Sequence, residues 1–144
     1  MRRSFVRCFG LTAVLVAVAG CGDSVTLVPA EGVVTINGTP APNISIQFMP
    51  DSLAGGAGPT SFAVTDAAGK FSLKTNDGRD GAVPGTHVVV LSDVDEERPA
   101  QGQRSKRRFS SRLDAKYGIA DPKNGLRVEV TGTGPIEVKA TGPR

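Results

Sequence analysis

The sequence predicts an all-β fold, a single seven-stranded antiparallel β-sandwich, on three observations. Apolar residues recur with a period of two in every strongly patterned segment, the spacing that places them on one face of a strand. The 18 Gly and 10 Pro gather between those segments, where turns need them. Most of the intervening stretches carry no helical period. With 39% hydrophobic and 22% charged residues in 144, the composition is that of one globular domain. It excludes a disordered chain and a multi-span membrane protein.

The first strand is predicted over 32–37, where Val33 and Thr35 alternate with Val34 and Ile36. Asn37-Gly38 is a strong tight-turn dipeptide. The second strand, 43–49, alternates Ile44, Ile46 and Phe48 with Ser45, Gln47 and Met49, and is reached through Pro40 and Pro42. Pro50 to Pro59, with Gly55, Gly56 and Gly58, is a loop by composition. Strands at 60–65 and 70–75 read as a hairpin around the turn Asp66 to Gly69, with Phe62 and Val64 before it and Phe71, Leu73 and Thr75 after it. After the Asn76 to Gly85 loop comes the fifth strand, 86–92, whose run Val88, Val89, Val90, Leu91 marks a central, best-buried strand. The last two strands, 126–131 and 135–140, flank a Gly132 to Pro135 turn and alternate apolar Leu126, Val128, Val130, Ile136 and Val138 with polar neighbours. The predicted core contains Phe48, Phe62, Phe71, Val88 or Val89, and Val128.

The segments GVVTINGTPAPNISIQFMP (32–50), TDAAGKFSL (65–73) and GAVPGTHVVVLS (81–92) resemble the carboxypeptidase regulatory-like, transthyretin-like sandwich. That family runs as a strand, a turn with Gly and Pro, a strand, a T-D-x-x-G-x-F hairpin and a G-x-Y strand. Thr86-His87 stands where the family carries an aromatic residue. The resemblance covers about residues 31–140. It implies a transthyretin-like or Ig-like sandwich and little about activity, because its motifs are turn and core motifs. With KYGIADPKNGLRVEV (116–130), the whole arrangement resembles small bacterial lipoproteins that have one such domain. The expected organisation is a lipoprotein signal peptide over 1–20, a lipidated tether over 21–30 and the sandwich over 31–141, with a charged loop insertion at 93–115.

Residues 1–20 read as an export address. Met1 to Arg7 is cationic, and the 11 residues Phe9 to Ala19 are apolar. At roughly 1.5 Å per residue that run falls far short of the ~30 Å hydrocarbon core, so it is not a permanent span. Val18-Ala19-Gly20-Cys21 resembles the lipobox of bacterial lipoproteins. The resemblance implies that the Cys21 thiol takes a diacylglycerol, that the peptide bond before it is cut, and that the new amino group is acylated. Several acyl chains anchor stably where one is marginal, at about 0.8 kcal/mol per buried CH2. Gly22 stands where an aspartate would signal inner-membrane retention, which resembles an outer-membrane lipoprotein. Arg2 and Arg3 in RRSFVR resemble a twin-arginine export motif, and the sequence leaves that route and the general one open.

The formal charge of +3 comes from the leader, where Arg2, Arg3 and Arg7 have no acidic counterpart. Taking those three from the 17 basic residues leaves 14, equal to the 14 acidic ones. A neutral mature chain argues against nucleic-acid binding, which needs a basic face. Cys8 leaves with the signal and Cys21 carries lipid, so no disulfide is expected.

Few residues are equipped for chemistry. His87 is the only histidine and no G-x-S-x-G elbow is present, so the base and nucleophile of covalent hydrolysis are missing. His87 is expected to cap a loop carbonyl or meet solvent at a strand end. Zinc wants several His or Cys ligands. Asn76, Asp77 and Asp80 in NDGRDG come nearest to a calcium donor set, but Arg79 lies among them, and they read as a turn that bonds its own backbone. Asp95, Glu96 and Glu97 are consecutive, a solvated run rather than the opposed acids of a glycosidase.

Asp93 to Arg112 is the most unusual stretch. Acidic SDVDEERP is followed by basic RSKRRFSSR, with Arg104, Lys106, Arg107, Arg108 and Arg112. Opposite signs invite local pairing, and the stretch reads as a surface loop in which Phe109 and Leu113 dock an apolar pair. Its basic block is the candidate for anionic headgroups or an acidic envelope polymer. No catalytic residue, cofactor, metal or small-molecule ligand is expected. The expected partners are a membrane through Cys21 and an envelope protein through a sheet edge or the 93–112 loop. The expected function is that of a membrane-tethered, non-catalytic envelope lipoprotein acting as a protein-interaction or binding module. The alternative is a structural or assembly element of the envelope without a discrete ligand.

Overall fold

The computed structural model describes residues 25–94 and 111–143. The signal peptide, Cys21 and residues 95–110 lie outside the described residues. The described chain is all-β, with strands β1 (Glu31–Ile36), β2 (Thr39–Pro40), β3 (Ile44–Pro50), β4 (Ser61–Val64), β5 (Lys70–Ser72), β6 (Lys74–Thr75), β7 (Gly85–Asp93), β8 (Leu126–Val130) and β9 (Ile136–Ala140). Two short 3-10 turns, Ser52–Ala54 and Ala115–Gly118, are its helical pieces among the described residues. There are nine strands rather than the seven expected, because β2 is added and the run 70–75 divides at Leu73. Asn37 and Gly38 have φ of 51° and 84°. That pair of positive angles makes the two-residue hairpin turn joining β1 to β2.

The strands form two sheets that do not close into a barrel. One has the order β6-β4-β3-β7-β8, antiparallel throughout. In the other, β5 and β2 pair antiparallel with β1, and β9 runs parallel to it. The expected all-antiparallel pairing is therefore corrected at β9, where Gly32 to Ile36 align with Ile136 to Ala140 in the same direction. The turn after β8 carries the chain from one sheet to the other, so β9 is not bound to run against β8.

The predicted hairpin at 60–75 is corrected in the same way. Asp66 Oδ1 accepts from the Ala68 and Lys70 N–H groups at 2.8 and 2.9 Å, which makes a tight turn. Yet β4 pairs with β3 while β5 pairs with β1, so the turn bridges the sheets. Leu73, fully buried, marks the return crossing. Its N–H donates to the Ala30 carbonyl (2.9 Å) and its carbonyl accepts from the Gly81 N–H (2.7 Å).

Both sheets bury their facing residues in one core. Ile44, Ile46, Phe48, Val89, Leu91 and Val130 come from one sheet, and Val34, Phe71, Val138 and Ala140 from the other. The Phe48 and Phe71 rings meet between them at 6.0 Å, within the range of favourable aromatic contact. Val88 is buried too, and Val128 is half-buried at the margin. Phe62, expected in the core, is 43% exposed. The Thr65 hydroxyl donates to the Ala41 carbonyl (2.7 Å) and accepts from the Ile44 N–H (2.9 Å), which turns Thr65 inward. Alternation then sends Ser61 and Ala63 in and Phe62 and Val64 out.

The strands run between two poles. At the near pole the chain enters, and the Val28 N–H donates to the Ala82 carbonyl (2.9 Å) while the Ala82 N–H donates back (3.0 Å). Val25 to Ala30, within the segment read as tether, thus already lie on the body, with Ala30 buried. The far pole gathers Asn37, Asn43, Val94 and the segment from Ser111 to Gly118. Along β7 the eight steps from one pole to the other cover about 26 Å at roughly 3.3 Å each.

Candidate functional site

The charged segment leaves and re-enters the body at the far pole, and a side-chain clamp holds its two ends together. Asp93 closes β7 with its side chain 4% exposed. The Arg112 guanidinium meets it in a fork, Nη2 to Oδ1 at 2.6 Å and Nε to Oδ2 at 2.7 Å. Nη2 also donates to the Pro42 carbonyl at 3.0 Å. Such a bidentate pair is stronger and more directional than a single contact, and a carboxylate this buried is costly without its cation. The Val94 N–H donates to the Asn43 carbonyl at 2.9 Å, completing the exit. This is the local pairing of opposite signs that the sequence invites, made between the ends of the stretch. Arg104, Lys106, Arg107, Arg108, Asp95, Glu96, Glu97 and Phe109 lie outside the described residues. Leu113, the other half of the expected apolar pair, is buried in the core.

Beyond the clamp the chain is pinned by Tyr117, whose hydroxyl accepts from the Thr141 N–H at 3.1 Å. The Asp114 N–H donates to the Thr141 carbonyl at 3.0 Å, and the Lys116 ammonium lies 4.9 Å from the Tyr117 ring centre. A Cβ on Gly142 would meet the Arg112 carbonyl oxygen at 1.8 Å, so only glycine fits against the clamp there. Next to it, Ile36, Asn37, Pro40, Ala41, Ser111 and Arg112 line a shallow groove of about 350 Å³. Its cation is already committed to Asp93.

His87 sits in the interior. It is 1% exposed, its ring centre lies 5.7 Å from that of Phe48, and Nδ1 donates to the Gly85 carbonyl at 3.0 Å. The carbonyl cap is present and the solvent contact is not, because His87 shares the inward face of β7 with Val89 and Leu91. Nε2 has no hydrogen-bond partner. Burial pushes the imidazole pKa below its usual 6.5, with the Gly85 carbonyl opposing weakly, so the ring is neutral near pH 7.

The NDGRDG turn spends its carboxylates locally. Asp77 accepts from the Thr75 hydroxyl and pairs with Arg79 Nε at 2.8 Å, and Asp80 pairs with Lys74 at 3.0 Å. The Thr75 hydroxyl holds the Asp77 carboxyl below its ordinary range. No three His, Cys, Asp or Glu side chains converge on one point among the described residues.

One pair has no sequence signal. Asp51 is 2% exposed, accepts from the Leu53 N–H at 2.9 Å to cap the first 3-10 turn, and holds Arg127 Nε at 2.8 Å. The cap is readable from Asp-Ser-Leu; a partner 76 residues away is not. Cys21 lies outside the described residues. Comparison with protein-family models, with curated proteins and with solved structures finds no match to this chain.

Proposed function

We propose that the mature protein is a non-catalytic module of the cell envelope, held on a membrane by lipid on Cys21 and engaging a protein partner. The observation that carries this reading is Val18-Ala19-Gly20-Cys21 at the end of a short apolar run behind a cationic start. No helix among the described residues is long and apolar enough to cross a membrane, which suits anchoring by lipid. Gly22 favours the outer membrane over the inner one. The two sheets around one core support a transthyretin-like sandwich as the body, with β2 and the divided 70–75 run as local elaborations. The non-catalytic reading draws support from the single imidazole, which packs against Phe48 out of reach of a dissolved substrate.

Partner binding would use the open edges of β8 and β9, by strand addition, or the far pole where the charged segment leaves. Crosslinking the protein on its own membranes, followed by its recovery through an affinity tag, tests this. One discrete partner in fixed stoichiometry is expected. A diffuse set of envelope components would favour a structural or assembly element, and ester, peptide or glycoside turnover abolished by His87→Ala would overturn the non-catalytic reading.

A further inference from the structure

We infer that the body rests on the lipid surface through its near pole, with the uncharged loop 52–60 at the interface and the Asp93–Arg112 clamp turned away from the membrane. This rests on the anchoring at Cys21 proposed above.

Reach decides which pole lies near the lipid. Val25 is fixed on the near pole, where its carbonyl accepts from Arg79 Nη1 at 3.4 Å, and Val28 is locked to Ala82 three residues later. Gly22, Asp23 and Ser24 separate Cys21 from Val25. Four residues fully extended span at most about 14 Å, well short of the ~26 Å between the poles along β7. A lipid on Cys21 therefore keeps the near pole within about 14 Å of the surface, a limit that does not bind the far pole.

Surface chemistry favours the same pole. Residues 52–60, SLAGGAGPT, contain no ionisable side chain. Leu53 is 65% exposed on a preformed turn, since the Asp51 carboxylate caps its N–H and the Gly56 N–H donates to the Asp51 carbonyl at 2.8 Å. Gly58 in this loop lies against Val83 and Val25, which places the loop directly beside the tether. On the same pole Lys74 pairs with Asp80 and Arg79 with Asp77. An uncharged tip enters the headgroup region without stripping water from an ion of its own, while Glu31 on the same pole is exposed and stays in water beside it. The far pole presents Asp66, Asp114 and Lys116, along with the ends of the charged segment.

The chain has no tryptophan, so single tryptophans report position without background. Leu53→Trp on the near pole, Ala67→Trp on the exposed far turn and Phe62→Trp on the outer face of the five-stranded sheet all replace exposed side chains. Each full chain is recovered from cell membranes, and intact mass shows whether Cys21 carries lipid. The proteins are then placed in phosphatidylcholine vesicles with and without brominated acyl chains, which quench only at short range. The Leu53→Trp emission is expected to fall by about half, because an interfacial side chain sits roughly 5–10 Å into the headgroup boundary, within reach of the bromines, while Ala67→Trp and Phe62→Trp are unchanged. Quenching at 67 or 62 that equals or exceeds that at 53, or no quenching at any of the three with lipid present by mass, overturns the orientation. Absence of lipid by mass refutes the anchoring instead. The orientation is then decided on the chain from residue 21 onward, whose lone thiol at Cys21 is coupled to a maleimide lipid in the same vesicles.

Discussion

The two poles of the body are ordered by different means. At the near pole the backbone holds itself: Val28 and Ala82 exchange two hydrogen bonds, and Gly81 reaches them with φ of 101°. At the far pole side chains hold the backbone, through the Asp93–Arg112 fork and the Tyr117 hydroxyl on Thr141. The first kind of order joins segments 54 residues apart through main-chain groups alone and depends on glycine at one position. The second depends on residues 19 and 24 apart finding each other.

The largest loss should follow Gly81→Ala. A Cβ there would stand 2.2 Å from the Val28 carbonyl oxygen, at a φ that side chains rarely adopt. The cost is expected at about 3 kcal/mol or more in chemical denaturation, and a change below about 1 kcal/mol would show that the near pole is not held by this backbone contact.

Arg112→Ala should cost somewhat less, about 2 to 3 kcal/mol. It removes the guanidinium from a buried carboxylate, but the arginine side chain is 39% exposed, which tempers the effect. Adding Asp93→Leu should recover much of that loss, since the penalty lies in a buried charge that has lost its guanidinium. If the double variant is no better than Arg112→Ala, the clamp holds the far pole by shape rather than by charge.

His87 lies between these extremes and is read by pH. Its folded-state pKa is below 6.5, so the unfolded chain binds a proton that the folded one refuses. The stability from keeping the ring neutral is full above about pH 6.5 and falls as pH drops below that, by at most about 1.4 kcal/mol per unit, until the lowered folded value is reached. Asp77 and Asp121 are also lowered, from 3.8, and their contribution goes only below about pH 4, a separate window. His87→Phe should flatten the stability between pH 7 and 5 relative to the parent, and an unchanged slope there would assign it to other groups.

The smallest effect belongs to Lys74→Ala at the near pole. Its pair with Asp80 has both side chains largely exposed, at 60% and 79%, so less than about 0.5 kcal/mol is expected in the same denaturation series. A loss as large as that from Arg112→Ala would erase the distinction between the poles.

Period-two alternation made the strand positions legible, since β1, β3, β7, β8 and β9 lie within a residue or so of the segments read from it. The sheet to which each strand belongs was not legible. Leu73 looks like any inward residue of a strand, and only its bonds to Ala30 and Gly81 show that the chain changes sheets there. Phe62 misled because hydrophobicity favours it over Ser61, while the phase of β4 is set by the Thr65 hydroxyl through two local hydrogen bonds. The parallel course of β9 carries no sequence mark, because alternation is blind to strand direction. In the candidate site, opposite charge at 93–112 was visible, but the choice of Asp93 and Arg112 as the pair depends on where β7 ends.

Lipid on Cys21 is what holds the proposed module on its membrane. Cells expressing the parent chain or Cys21→Ser are grown with a clickable palmitate analogue, and the protein is isolated for label and for intact mass. The parent should carry the label, lose residues 1–20 and stay in the membrane fraction, and Cys21→Ser should carry none and accumulate as precursor or leave the membrane fraction. Label retained on Cys21→Ser, or absent from the parent, would contradict lipid anchoring at this residue.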